Sequence, residues 1–249
     1  MVSAVGNRPV LSPEEVSILI LSLKVSVVGV LVATPFCLGC AWVLARGGRA
    51  GLAGLGLIVL DAVVHLPLVL PPVVTGWLLL LAFGAQGPVG RWLAAWGIGV
   101  MFRWTGAALA AGVMAVPLMV RSMRLSLEAV DPRLEQAART LGAGPWRSFA
   151  TVTLPLAMPG VLAGLVLGFA RSLGEFGATI TFVSNIPGET QTLPLAIYSA
   201  LQLPDGDTVV TRLAVLAVAL SLGALVVAEV LARRMALAGG MRRERFGGL

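Results

Sequence analysis

Charge is scarce in this 249-residue chain: Asp, Glu, Lys and Arg make up 12% of it, against roughly 25% in ordinary soluble domains. A soluble globule with so few charges cannot cover its surface. Intrinsic disorder is excluded as well, because it needs low hydrophobicity and high charge. Cysteine is nearly absent too. The two present stand as Cys37-Leu38-Gly39-Cys40, a spacing used by redox and metal pairs, but they lie in a long apolar run with no His or second Cys pair nearby. They read as small packing residues in a helix. A Gly-x-x-x-x-Gly-Lys-Ser/Thr phosphate loop is missing, so this chain is not itself a nucleotide engine. What the chain has in abundance is apolar surface, with 57% hydrophobic residues and a mean hydropathy of +0.93. It is a polytopic membrane protein. Its excess of 18 Lys and Arg over 12 Asp and Glu reads as a mark of orientation in the bilayer, with no nucleic acid among its partners.

A spanning helix needs about 20 mostly apolar residues. Five segments qualify: about Val16 to Ala45, Leu52 to Phe83, Thr105 to Leu127, Ala157 to Phe182 and Val209 to Ala232. Ser12-Pro13-Glu14-Glu15 opens the first as a capping Ser, a Pro at the first helical position and acids in the first turn. This segment is too long for a signal-peptide core and is expected to be retained. His65-Leu66-Pro67 and Pro71-Pro72 interrupt the second, which is expected to be one kinked helix facing protein. Trp92, Trp96 and Trp104 read as interfacial anchors, and the stretch between them could add a short interfacial helix or a sixth span.

Arginine placement sets the orientation. Arg46 and Arg49 follow span one, Arg121, Arg124, Arg133, Arg139 and Arg147 follow or end span three, and Arg233, Arg234, Arg242, Arg243 and Arg245 follow span five. The other side has Arg8, Arg91, Arg103 and Arg212 beside Glu14, Glu15, Glu189, Asp205 and Asp207. The positive-inside rule then puts the N-terminus outside, the C-terminus in the cytoplasm, and the loop of about 128–155 in the cytoplasm.

That loop carries a helix with defined ends: Asp131 as cap, Pro132 at the first position, Glu135 in the first turn and Gly142 just past the end. Leu134, Ala137, Ala138 and Leu141 form one apolar stripe. Gly144-Pro145-Trp146 starts a second short helix, expected to end at Leu154-Pro155. An Ala-rich stripe permits close approach by another surface, and a helix laid in a groove is a standard mode of protein recognition. The alternative is a helix lying on lipid headgroups.

The run Gln136-Ala137-Ala138, three residues, Gly142, nine residues, Val152, one residue, Leu154-Pro155 closely resembles the coupling loop of bacterial ATP-binding-cassette import permeases. The family pattern has Glu where this chain has Gln136, with Glu135 one residue earlier, and Ile where it has Val152. His65 to Val74, Phe169 to Asn185 and Ile186 to Thr190 resemble the molybdate permease branch, and the likeness runs from about Leu19 to Arg234. The resemblance implies an all-helical, type I importer permease forming one transmembrane domain over 1–249. It also implies a homodimer, two ATP-hydrolysing subunits that hold ATP and Mg, and a periplasmic or surface-tethered molybdate-binding protein. The coupling residues would be Glu135, Gln136, Ala137, Ala138, Gly142, Leu154 and Pro155. No catalysis, cofactor or metal is expected of this chain.

An ionisable residue at the bilayer centre costs about 2.5–3.5 kcal/mol on insertion scales, so each one asks for a partner or a purpose. Arg171 and Glu175 stand four apart in span four, and Asp61 and His65 in span two. Either they are neutralising pairs that hold helices together, or they line the path and gate of an anion that must leave as readily as it enters. Gly160, Gly164 and Gly168 form a small-residue ladder for helix packing. Gly174 and Gly177 could bend the helix or expose backbone amides to an anion. Lys24 is expected to snorkel to the interface. The stretch from Ser184 to Asp207, broken by Pro187, Pro194 and Pro204, is expected to hold a short re-entrant or surface helix, or a plain loop, facing the delivering protein. Sulfate, thiosulfate or tungstate are alternative cargoes. An ion-coupled transporter using Asp61, Glu175 and Glu229 is the alternative from another class, although no inverted repeat is visible to favour it.

Overall fold

A computed structural model of the chain describes the backbone of residues 11–48 and 51–246, and the side chains of these except 228 and 231–246. Arg8, Arg49 and the arginines after span five therefore fall outside the described side chains. All regular structure among the described residues is helical.

Helix α1 (Pro13–Arg46) begins as the sequence requires and adds reciprocity: Ser12 Oγ accepts from the Glu15 amide at 3.2 Å, and Glu15 Oε2 accepts from the Ser12 amide at 2.7 Å. In place of one kinked second span there are two helices, α2 (Gly51–Val69) and α3 (Pro72–Phe83). Pro67 is tolerated inside α2, but Pro71 and Pro72 in succession remove two amides at one place, and Pro72 opens a new helix instead. Helix α4 (Pro88–Ala95) follows α3 with a bend of 49° and carries Trp92, whose ring lies 6.3 Å from that of Trp96. Among the described residues five helices are long and apolar enough to cross a membrane, or six if α3 and α4 together make a broken span.

Helix α5 (Trp104–Glu128) is the centre of the bundle, with α1 packed on one side and α8 (Leu154–Leu173) on another. Two apolar clusters stack along it. One joins Cys37, Ala41 and Leu44 of α1, Val64 of α2, Met119, Met123 and Leu127 of α5, and Val161 of α8. The other joins Leu21 and Val25 of α1, Leu79 of α3, Ala107 and Ala111 of α5, and Phe182. Helices α2 and α3 thus serve successive levels of the bundle, and both cysteines are buried packing residues in the first cluster.

Small residues set the spacing. Gly29 of α1 faces α5 so closely that a Cβ on it would stand 2.5 Å from the Ala108 carbonyl oxygen, and one on Gly112 would stand 2.8 Å from the Gly29 carbonyl. The ladder of Gly160, Gly164 and Gly168 seats α8 on α5, against Ser126, Met123 and Met119. Overpacking a backbone-to-backbone contact costs about 1–3 kcal/mol. Gly29→Leu is therefore expected to lower the melting temperature of the detergent-solubilised protein, measured by thermal aggregation, whereas Gly39→Leu, where a Cβ meets open space, is expected to leave it unchanged.

Between α5 and α8 lie α6 (Pro132–Thr140) and α7 (Pro145–Ser148), which runs through a π-helical turn (Phe149–Thr153) straight into α8. Leu154-Pro155 accordingly starts a helix, with Pro155 in its first turn where no amide is needed. The fourth span begins and ends earlier than the sequence suggests, over Pro145–Leu173. It ends at Leu173, Gly174 is its cap, and α9 (Gly177–Val183) starts anew. Helix α10 (Leu193–Ala200) is the short helix expected between Ser184 and Asp207, and α11 (Asp207–Phe246) is the last described helix.

Candidate functional site

Helix α6 buries none of its residues. Asp131 Oδ1 accepts from the Arg133 amide at 2.9 Å, and the helix closes with two bonds around Gly142: its amide donates to the Arg139 carbonyl and that of Ala143 to the Ala138 carbonyl, both at 3.0 Å. This double closure needs a left-handed residue, and Gly142 has φ +86°. Of the expected stripe, Leu134 and Ala137 are exposed, Ala138 is half-buried and Leu141 is 89% exposed; Trp146 at the start of α7 is 81% exposed. Gln136 and Pro155 are also exposed and Leu154 half-buried. The loop presents apolar groups outward on a frame that is itself well anchored.

Glu135 supplies the anchor. Its Oε1 receives Arg46 Nη2 at 2.9 Å and Thr153 Oγ1 at 2.8 Å, and Arg46 Nη2 also reaches the Val130 carbonyl at 3.1 Å. The Ser148 hydroxyl approaches the Glu135 carbonyl at 3.4 Å. In the sequence Arg46 reads only as a marker of orientation, because its partner Glu135 lies 89 positions away.

Asp61 and His65 do come together, with Nδ1 3.3 Å from Asp61 Oδ1 and 2.9 Å from the Asp61 carbonyl. The stronger partner of Asp61 is one that spacing could not show: Arg124 of α5 donates Nη1 to Asp61 Oδ1 at 3.1 Å and Nε to Glu128 Oε1 at 2.9 Å. Two carboxylates thus share one guanidinium beside a cavity of about 230 Å³ lined by Leu44, Gly54, Leu57 and Ile58. The Asp61 side chain is 43% exposed.

Arg171 and Glu175 pair at 2.7 Å across the α8–α9 break. Glu175 is buried, and its second oxygen accepts from the Ala178 amide at 2.9 Å, so this carboxylate caps α9 while neutralising Arg171. Gly174 ends α8, and Gly177 packs on Pro72. Of the amides near these glycines, that of Ala178 is already taken by Glu175. Lys24 is exposed, with its ammonium 3.6 Å from the centre of the Trp104 ring. A further pair, Arg212 Nε with the buried Glu15 Oε1 at 3.1 Å, ties α11 to the start of α1.

The α9–α10 connection is rigidly built. The Thr190 hydroxyl bridges the Ser184 carbonyl and the Ile186 amide, Ser199 Oγ receives Asn185 Nδ2 at 2.7 Å, and the Leu193 amide reaches Ser22 Oγ of α1 at 2.7 Å. Helix α10 therefore docks on the bundle with one face buried and Tyr198 exposed. No group of three His, Cys, Asp or Glu side chains is placed to hold a metal among the described residues.

Residues 49–237 match the model of the family described as binding-protein-dependent transport system inner membrane component. The chain is 54% identical over 239 residues to the molybdenum transport system permease protein ModB of Escherichia coli K12, covering 96% of this chain and 99% of that one. It is 55% identical over 222 residues to ModB of Haemophilus influenzae, covering 89% and 95%. The sulfate transport system permease protein CysT of Escherichia coli K12 is 40% identical over 183 residues, covering 72% of this chain and 64% of that protein. Among solved structures, a bacterial transporter that imports alginate superposes with a TM-score of 0.68 at 19% identity, over 90% of this chain and 80% of that chain. The MetNI methionine transporter in an inward-facing form gives 0.64 at 18% identity, over 90% and 99%. The fold is that of type I importer permeases. This chain belongs to the binding-protein-dependent transport system inner membrane component family, as a multi-pass inner-membrane protein.

Proposed function

We propose that this chain is the membrane subunit of a molybdate importer of the ATP-binding-cassette class. Two copies form the translocation path, two ATPase subunits dock on the α6–α7 loop, and a binding protein delivers the anion at the opposite end. The observation that carries this reading is the 54% identity to a molybdenum permease over 99% of that protein's length. Sulfate is the weaker reading, because the 40% match to a sulfate permease covers 64% of that protein.

The N-terminus is outside and the C-terminus cytoplasmic in this reading. Arg46 at the end of α1 meets the loop that also carries Arg133, Arg139 and Arg147, so two basic segments share one end of the bundle. Closure of the ATPases around ATP draws the two α6–α7 loops together, opens the far side and admits the anion; hydrolysis returns the path to the cytoplasm. The cluster of Asp61, His65, Arg124 and Glu128 is too charged and too exposed for lipid, which supports its facing water in the path. Arg171, already neutralised by Glu175, offers a dianion a passing contact, and a tight site would stop transport.

The test is uptake of radiolabelled molybdate by proteoliposomes holding this chain, the ATPase subunits and the binding protein. Uptake is expected to require ATP, to survive ionophores, and to be competed by tungstate more than by sulfate. Uptake driven by an ion gradient without ATP would overturn the reading in favour of a secondary transporter.

A further inference from the structure

Glu135 joins three segments through one carboxylate, and its partner Arg46 adds a fourth. It belongs to α6, holds the end of α1 through Arg46, and holds the π-helical turn that opens α8 through Thr153. The same Arg46 nitrogen ties in Val130, just past α5. We infer that the Arg46–Glu135–Thr153 junction is the strut that carries displacement of the α6–α7 loop into α1 and α8 together. Glu135 is a positioning residue for coupling, distinct from the surface that docks the ATPase. The inference rests on the reading of α6–α7 as the ATPase docking loop.

Three observations support it. First, the outward stripe of α6 is free of this contact. Leu134 and Leu141 are exposed, whereas the Glu135 and Arg46 side chains are largely covered, so the carboxylate looks into the bundle and the stripe away from it. Second, the junction is not saturated. Arg46 uses Nη2 for both its bonds, and its buried Nε has no partner. A guanidinium prefers the two-pronged grip on a carboxylate, and a small rotation of α6 would let Nε and Nη2 take both Glu135 oxygens. The contact can therefore persist through a loop movement by exchanging one grip for another, as a strut must. Third, Thr153 is fully buried at the last position of the π-helical turn that opens α8, and such wide i→i+5 turns are frequent at functional sites.

The experiment compares molybdate taken up per ATP hydrolysed in proteoliposomes with the whole complex. Glu135→Gln is expected to keep the ATPase subunits bound and hydrolysing while the ratio falls about tenfold. Glu135→Asp is expected to recover part of it, and Arg46→Glu with Glu135→Arg more than either single change. Thr153→Val is expected to lower the ratio severalfold. If Glu135→Gln does not accumulate, Arg46→Gln with Glu135→Gln leaves no charge unpaired and is expected to show the same low ratio. A normal ratio in an assembled Glu135→Gln or double variant overturns the strut. Loss of ATPase binding in Glu135→Gln also overturns it, because Glu135 would then be a docking residue. Ala138→Arg reads the docking assignment separately: normal ATPase binding in that variant rejects the docking surface, whatever Glu135 does.

Discussion

Arginine in place of Ala138 is expected to release the ATPase subunits and abolish ATP-driven uptake. Ala138 lies on the stripe of α6 with Leu134, Ala137 and Leu141, and none of these residues is buried by the chain itself. A helix that exposes Leu141 and, beside it, Trp146 is covered only by another protein or by lipid. A small residue at its centre allows the covering surface to approach closely. A guanidinium forced into such a contact without a partner costs about 2–5 kcal/mol, or about 30-fold or more in docking affinity. Co-purification of the ATPase measures this directly, with Ala138→Ser as the control that keeps the volume small. Gly142→Val tests the frame beneath. Open space surrounds that position, so only the left-handed backbone is at stake, at about 1–2 kcal/mol. The expected result is weakened docking with the apolar stripe unaltered. Normal ATPase binding and uptake in both variants would leave α6 as a helix that lies on headgroups.

Much of this loop was legible in the sequence because its signals are local. Asp131 caps, Pro132 starts and Gly142 closes α6 within a dozen residues, and each acts through its own backbone. The start of α1 at Ser12 and the burial of Cys37 and Cys40 were legible for the same reason. Breaks inside apolar runs were not. Hydropathy is continuous from Leu52 to Phe83 and from Ala157 to Phe182, yet Pro71-Pro72 and Gly174 divide both runs into separate helices. In the second case the break is held open by a capping carboxylate, which spacing alone reads as a neighbour on an unbroken helix. Ion pairs between distant segments were illegible altogether. The i, i+4 rule finds Asp61 with His65 but not Asp61 with Arg124, and it cannot relate Arg46 to Glu135 or Glu15 to Arg212. Those pairs are set by which helices pack together, and that depends on the close approaches at Gly29, Gly112 and Gly160, where the glycines' partners are backbone and small side chains far away in sequence.

Alanine in place of Glu175, at the break between α8 and α9, is expected to be the most damaging change to the bundle. The carboxylate is only 2% exposed at its side chain, and both oxygens are used, one by Arg171 at 2.7 Å and one by the Ala178 amide at 2.9 Å. Its removal strands a mostly covered guanidinium, a loss of about 3–5 kcal/mol for a fully buried pair. It also uncaps α9, at about 1 kcal/mol. Because Arg171 retains some exposure, the sum falls near the lower figure, still a large part of the 5–15 kcal/mol that holds a typical domain together. The expected result is little monodisperse protein by size-exclusion chromatography in detergent. That outcome alone does not separate a pair that holds helices from a pair that also meets the anion. The separation comes from Arg171→Gln with Glu175→Gln, which strands no charge and keeps an acceptor for the Ala178 amide. If the pair only holds α8 against α9, this variant folds and transports with an unchanged KM for the loaded binding protein and an unchanged maximal rate. If Arg171 meets the dianion on its way, the folded variant loses maximal uptake while ATP hydrolysis and docking stay intact, since the missing charge would have acted on the passing anion and not on the fold.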